Sequence, residues 1–265
     1  KNGRVEMAHG AGGRAMAHLI EALFARRLDN EWLAQGDDGA VLPAPGAGRL
    51  VMATDSHVVS PLFFPGGDIG SLAVHGTIND VAVMGARPLW LSAAFILEEG
   101  FPLAELKRIV ESMAAAARDA NVAIVTGDTK VVEQGKGDGV FITTTGVGVV
   151  EEGIDIGGAR ARPGDAILLS GFIGDHGMTI MSTRESLAFG ADLRSDTAAL
   201  HGLVAAMLAP VRDAMLADPS RGIHALRDPT RGGLATLLNE IAGQSGAGML
   251  IEEGAIPVRP QVEAA

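Results

Sequence analysis

The chain contains no cysteine. That excludes disulfides, thiolate metal sites and a catalytic thiol within these residues. Nor does it carry a basic stripe. Its formal net charge is −11, whereas proteins that grip a nucleic-acid backbone cluster lysine and arginine on one face. No apolar run approaches the roughly 18 residues that a membrane-spanning helix needs. The opening stretch, KNGRVEMAHGAGG, lacks the apolar centre of a signal peptide, so a cytoplasmic protein is expected. A first residue of Lys1 instead of methionine leads us to expect a trimmed natural N-terminus. An acidic protein can still take a phosphorylated small molecule when divalent cations bridge its carboxylates to the phosphates.

What is present fits an α/β protein. The chain has 265 residues, enough for one or two domains, and its 36 glycines match the many turns of that class. Met16, Leu19, Ile20, Leu23, Phe24 and Leu28 recur at helical spacing after HGAGG. RLVMATDS (49–56) reads as a strand, and SPLFFPGGDIG (60–70) as a proline- and glycine-rich loop. A small-residue helix (71–86) and the strand LWLSAAFIL (89–97) follow. Pro102 opens a helix with one apolar side, and VAIVTGD and VFITTTGVGVV (140–150) are strands.

The order, two strands, helix, strand, helix, two strands, predicts helices over one face of a mixed sheet. The charged, glycine-rich stretch at 151–164 marks the expected boundary between domains 1–152 and 153–265. Beyond it AILLSG, IHALRD and GMLIEE read as strands, with helices from about His176, near 198–216 and over 231–243. A complete α+β domain would need more strands to cover these helices, so the second unit is expected to be truncated.

Several aspartates share one context. Asp37 and Asp38 precede a strand, while Asp55 and Asp128 end strands, where ligands of α/β sheets commonly bind. Asp80 lies inside a helix among Val81, Ala82 and Val83, a poor place for an aspartate without a polar task. Four converging carboxylates would hold Mg²⁺ through oxygen ligands; each one alone is equally a cap or turn residue. The loop HGAGGRAM (9–16) enters a helix and could bind an anion, or simply be a flexible arm with a glycine cap. Lys130 could neutralise a phosphate or be a solvated surface lysine. His75, one turn before Asn79, could face a ligand or be a satisfied helix histidine. In RDPTRGGL (227–234), Asp228 or Thr230 reads as an N-cap, and Arg231 could meet an anion. GDHGMT (174–179) reads as a helix start.

Together HGAGGRAM, the block from DSHVVSPLFFPGGDIG through GTINDVAVMGA to FILEEG, VTGDTKVVE, GDHG and DPTRGG resemble one family. It is the HypE carbamoyl dehydratases of hydrogenase maturation, in the AIR-synthetase-like (PurM-like) ATP-binding superfamily. The resemblance runs from about residue 7 to 260. It implies a PurM-like fold whose N-terminal sheets pair in a homodimer, with ATP bound through Mg²⁺. Asp55, Asp80 and Asp128, with Asp38 as a fourth, would be the metal and phosphate carboxylates. Gly10, Gly12 and Gly13 would close over the nucleotide, with Thr77, Asn79, Thr126, Gly127 and Thr129 along it. Lys130 and His75 would be catalytic. In the family, HypF carbamoylates a C-terminal cysteine, ATP drives its dehydration to a thiocyanate, and the cyano group passes to iron on a HypC–HypD complex. Such chains end in Pro-Arg-Ile-Cys, which is not found here, so this chain as it stands is expected to lack the thiol chemistry.

Two other readings stay open on the residues. One is a related phosphotransferase or cyclo-ligase, such as thiamine-monophosphate kinase. Selenophosphate synthetase expects a cysteine or selenocysteine and a lysine near the glycine loop, and this loop has neither. The other is a non-catalytic ATP-binding partner protein.

Overall fold

The computed structural model describes residues 3–35, 38–185, 193–218 and 220–264. Asp37 lies outside them. After a 3₁₀ turn at Met7–Gly10, a short helix, α1 (Arg14–Leu19), continues as a wider π-helical stretch over Ile20–Ala25. Strand β1 (Arg49–His57) precedes a small hairpin of β2 (Phe63–Phe64) and β3 (Gly67–Asp68), set within the expected loop. Helix α2 spans Ile69–Val83, β4 Ala86–Glu98, α3 Leu103–Asp119, β5 Ala123–Val132 and β6 Val140–Val150.

Both long helices have local reasons for their ends. Asp68 caps α2: its Oδ1 accepts from the backbone N–H groups of Gly70 (2.8 Å) and Ser71 (3.1 Å). The Ser71 hydroxyl takes the Asp68 N–H in return. Gly85, at φ +76°, ends the helix in the left-handed region that glycine tolerates. Pro102, at φ −65°, stands immediately before α3, and Asn121, at φ 54°, follows it.

The sheet runs β1-β6-β4-β5, with β1/β6 and β6/β4 antiparallel and β4/β5 parallel. This is the expected mixed sheet. Helices α2 and α3 cover one face. On β6 the even-numbered residues from Val140 to Gly148 are buried beneath them and the odd ones are half-exposed. Ile69, Val74 and Ile78 of α2 meet Leu106, Ile109 and Met113 of α3 over Leu91, Phe95, Leu97 and Ile142. Glycines set the close approach. A Cβ at Gly146 or Gly148 would come within 3.0 or 2.5 Å of Val81. Among the described residues no helix covers the other sheet face, and Leu50 and Met52 are 65% and 73% exposed there.

Beyond β6 the chain is helical: α4 (Asp175–Arg184), α5 (His201–Leu208), α6 (Arg212–Ala217), α7 (Gly233–Ser245) and α8 (Pro260–Glu263). The single expected helix near 198–216 is broken around Pro210, which cannot continue a helix. The expected strands AILLSG, IHALRD and GMLIEE do not form among the described residues. Their backbones find no lateral partner, and a lone extended segment gains nothing from its β propensity. Leu168 and Leu250 are consequently open to solvent. The helices nevertheless share a core with the sheet, in which Val81, Ala86 and Val150 pack with Ile154, Val204, Leu208 and Met215.

Candidate active site

Two carboxylate settings flank the sheet. The first lies on the helix-covered side, where β1 ends. Asp55 and His57 alternate inward on β1 with Val51 and Ala53. Asp55 Oδ1 accepts from the Ser56 N–H at 2.8 Å. The Arg231 guanidinium lies 3.6 Å from the same oxygen and donates to the Ser56 carbonyl at 3.3 Å. Burial, then the negative charges of Asp228 and Asp55, push the Asp80 carboxyl up to about 6, while Arg227 opposes the shift. Asp228 is also raised, chiefly by burial, with Arg227 opposing and Asp55 contributing. Burial holds the His57 imidazole below its usual range, against the pull of Asp55.

Asp228 is the site residue that sequence reasoning missed. A capping role seemed sufficient for it, but neither Asp228 nor Thr230 caps α7. Gly232 occupies the cap position, at φ 78°, and the Gly233 N–H donates to the Thr230 backbone carbonyl. The signal was in the sequence: an acid closes a segment that reads as a strand, as with Asp55 and Asp128.

The second setting is on β5. Phe95 and Thr129 are register partners and both are buried, so the intervening Asp128 and Lys130 project from the open face. Lys130 Nζ stands 3.0 Å from the Asp128 carboxylate, and this contact, more than any other, holds Asp128 below its ordinary range. Gly127 passes so close to β4 that a Cβ would lie 2.2 Å from the Ala93 carbonyl oxygen. Thr126 is half-buried beside it. The glycine loop leans on the same strand, since a Cβ at Gly10 would come within 2.8 Å of the Val131 nitrogen. Gly12 and Gly13 are open to solvent, with Gly13 at the start of α1. Loop, carboxylate and ammonium group are thus carried by one strand.

Three expected residues on α2 have other engagements. Thr144 donates its hydroxyl to the Ala73 carbonyl, so the buried Thr77 hydroxyl is the donor in the 2.6 Å contact between them. The Asn79 amide donates to the Ala198 carbonyl at 2.9 Å and accepts from the Leu200 N–H at 2.7 Å. His75 Nδ1 is 3.1 Å from the Thr197 hydroxyl, and burial holds its imidazole below the usual range. Asn79 and His75 therefore fasten 197–200 to the helix.

Within one chain the four expected carboxylates do not converge. Asp55, Thr144, Ala93 and Gly127 are successive register partners, so Asp55 and Asp128 stand three strands apart. That is roughly 14 Å at normal strand spacing, and the two project to opposite faces. Asp38 is exposed in the loop before β1. Among the described residues, no group of three or more His, Asp and Glu could hold a metal ion. A magnesium cage preformed within one chain does not fit this geometry.

A mixed sheet covered on one face by two helices, with acids and a glycine loop at its strand ends, defines an AIR-synthase-related chain. The family model for the AIR synthase related protein N-terminal domain matches residues 36–150, and that for the C-terminal domain matches 162–264. Within that class the chain belongs to the HypE family of carbamoyl dehydratases. It is 70% identical to carbamoyl dehydratase HypE of Cupriavidus necator over its full length, covering 73% of that protein. It is similar to the crystal structure of HypE in complex with ATP, with a TM-score of 0.91 and 54% identity over 97% of this chain and 74% of that one. It also resembles a chain of the HypE–HypF complex, with a TM-score of 0.77 and 50% identity over 93% and 76% of the two. No helix of the described residues is long and apolar enough to cross a membrane.

Proposed function

We propose that this chain binds ATP and uses it to dehydrate a carbamoyl group on a thiol, making the thiocyanate that supplies cyanide for hydrogenase iron. The observation that carries the reading is the full-length 70% identity to a carbamoyl dehydratase. The gathering of the Gly10 loop, Asp128 and Lys130 on one strand supports it. An amide oxygen is a poor leaving group. Transfer of the terminal phosphoryl group of ATP to that oxygen releases ADP, and loss of phosphate and a proton then leaves the nitrile.

The chain's share in this reading is positioning and charge neutralisation. Backbone N–H groups of the Gly10–Gly13 loop face the phosphates. Lys130 exchanges Asp128 for the transferring phosphoryl group, whose charge its ammonium stabilises. Asp55, Asp80 and Asp128 would be the carboxylates that hold magnesium, which would neutralise the charge of the nucleotide phosphates. His75, on α2, is the second catalytic residue of this reading. The carrier thiol lies outside these cysteine-free residues.

The apolar open face of the sheet, with Leu50 and Met52, suits a second copy of the chain. Such a homodimer would bring one protomer's open face against the other's. HypF as carbamoyl donor and a HypC–HypD complex as cyanide acceptor complete the scheme, and residues 1–152 and 153–265 are its two domains. The test supplies the thiol in trans, as an S-carbamoyl peptide ending in Pro-Arg-Ile-Cys, together with ATP and magnesium. The expected result is ADP, phosphate and dehydrated peptide in equal amounts, read by mass spectrometry. ATP bound without any loss of water from the peptide would refute the dehydratase reading.

A further inference from the structure

The scheme above gives Arg231 no task. Its side chain is 86% exposed, in the turn that leads into α7. Gly232 and Gly233 follow at φ 78° and 59°, in the left-handed region that glycine tolerates. The guanidinium reaches to the end of β1, 175 residues earlier in the chain. There Nη2 donates to the Ser56 carbonyl at 3.3 Å and lies 3.6 Å from Asp55 Oδ1. Among the described residues the guanidinium makes no other hydrogen bond, which leaves most of its N–H donors open.

The surrounding charges decide what those donors can meet. Asp55, Asp80 and Asp228 lie near enough to act on one another, since the first and last both help to raise the Asp80 carboxyl. A polyphosphate approaching this side of the sheet therefore meets negative charge unless a cation receives it. Arg227 is committed to Glu240, 2.6 Å away. Arg231 is held more loosely. An ion pair at 3.6 Å on so exposed a side chain contributes little and exchanges readily. A guanidinium also presents paired N–H groups that match two phosphate oxygens at once. We propose that Arg231 contacts the phosphates of the bound nucleotide, turning its guanidinium from Asp55 to them while the Ser56 carbonyl keeps it within reach. The inference rests on the nucleotide reading of the site. It makes Arg231 the covered-side counterpart of Lys130, each a cation that can leave its own aspartate for a phosphate.

Two measurements on the whole chain, with magnesium present, test it. In the first, calorimetry compares ATP affinity for wild type, Arg231→Lys and Arg231→Gln. The glutamine variant is expected to lose on the order of 10- to 100-fold, the scale of a hydrogen bond to a charged group. Lysine keeps the charge without the fork and should fall between. All three should unfold at similar urea concentrations, because an exposed pair adds little to stability. Equal ATP affinity of wild type and the glutamine variant would overturn the proposal and leave the nucleotide reading standing. A wild type that binds no ATP would sink that reading and the proposal with it. In the second measurement, ¹⁵N NMR follows the Nε resonance of Arg231 as ATP, and separately adenosine, is added. A shift with ATP that adenosine does not produce is expected. A resonance that stays put at saturating ATP, or moves equally with adenosine, would overturn the proposal, because no phosphate then touches the guanidinium.

Discussion

Asp80 and Asp128 stand on opposite sides of one four-stranded sheet, and their surroundings push them in opposite directions. Asp80, on the helix that covers the sheet, is half-buried among Asp55 and Asp228, and its carboxyl is raised to about 6. Asp128 projects from the uncovered face toward its own lysine and is held below the ordinary range. The contrast teaches that identical side chains near strand ends need not form one cluster. On the covered side, burial and the neighbouring carboxylates outweigh the pull of Arg227 on Asp80. On the open side, the positive charge is built in two residues along the strand.

Lys130→Ala attacks the open-face half of this contrast and should have the largest effect. It removes a preorganised cation, which is worth about 10² to 10³ in kcat where charge develops in the transition state. Steady-state ADP release checks it, and Asp128 should titrate closer to an ordinary aspartate in the same variant. Thr77→Val attacks the covered half through packing. It leaves Thr144 without its donor inside the helix–sheet contact, at a cost of about 2 kcal/mol of stability by urea unfolding. Asp128 and Lys130 should be unaffected by it.

A smaller effect sharpens the comparison. A carboxyl raised in the folded state binds its proton more tightly there than in the unfolded chain. Stability is therefore fully present at low pH and declines as pH climbs from 3.8 to about 6. Asp80→Asn should remove that decline and stabilise the protein near neutral pH by about 1 kcal/mol, a figure already reduced for the solvent that reaches a half-buried carboxyl. Magnesium should shrink the difference if cations collect at the site. The smallest change is expected from Asp228→Asn, which removes one like charge and lowers the Asp80 titration midpoint by a fraction of a unit, as NMR would show.

Much of the sheet unit could be read from sequence because its signals are local. Asp68 and Gly85 bracket α2, Pro102 opens α3, and the two-residue spacing of Asp128 and Lys130 already places them on one face. What could not be read was strand order. β1 and β5 lie at opposite edges of the sheet, an arrangement fixed by pairings between residues some ninety positions apart. The expected convergence of Asp55 with Asp128 depended on that order. Asp228 was hidden because a helix-cap rule accounted for it locally, and only the fold brings it near Asp80. The misread strands of the second unit show the same limit, since β propensity does not provide a neighbouring strand.

Asn79 gives the molecule a mechanical property. Its amide grips the chain at both Ala198 and Leu200, and Asp80 is the next residue along the same helix. A movement of that segment must either break two hydrogen bonds at once or pull on α2 beside its acidic residue. The helical part of the chain and the carboxylate are thus joined as handle and lever, with Asn79 as the pin.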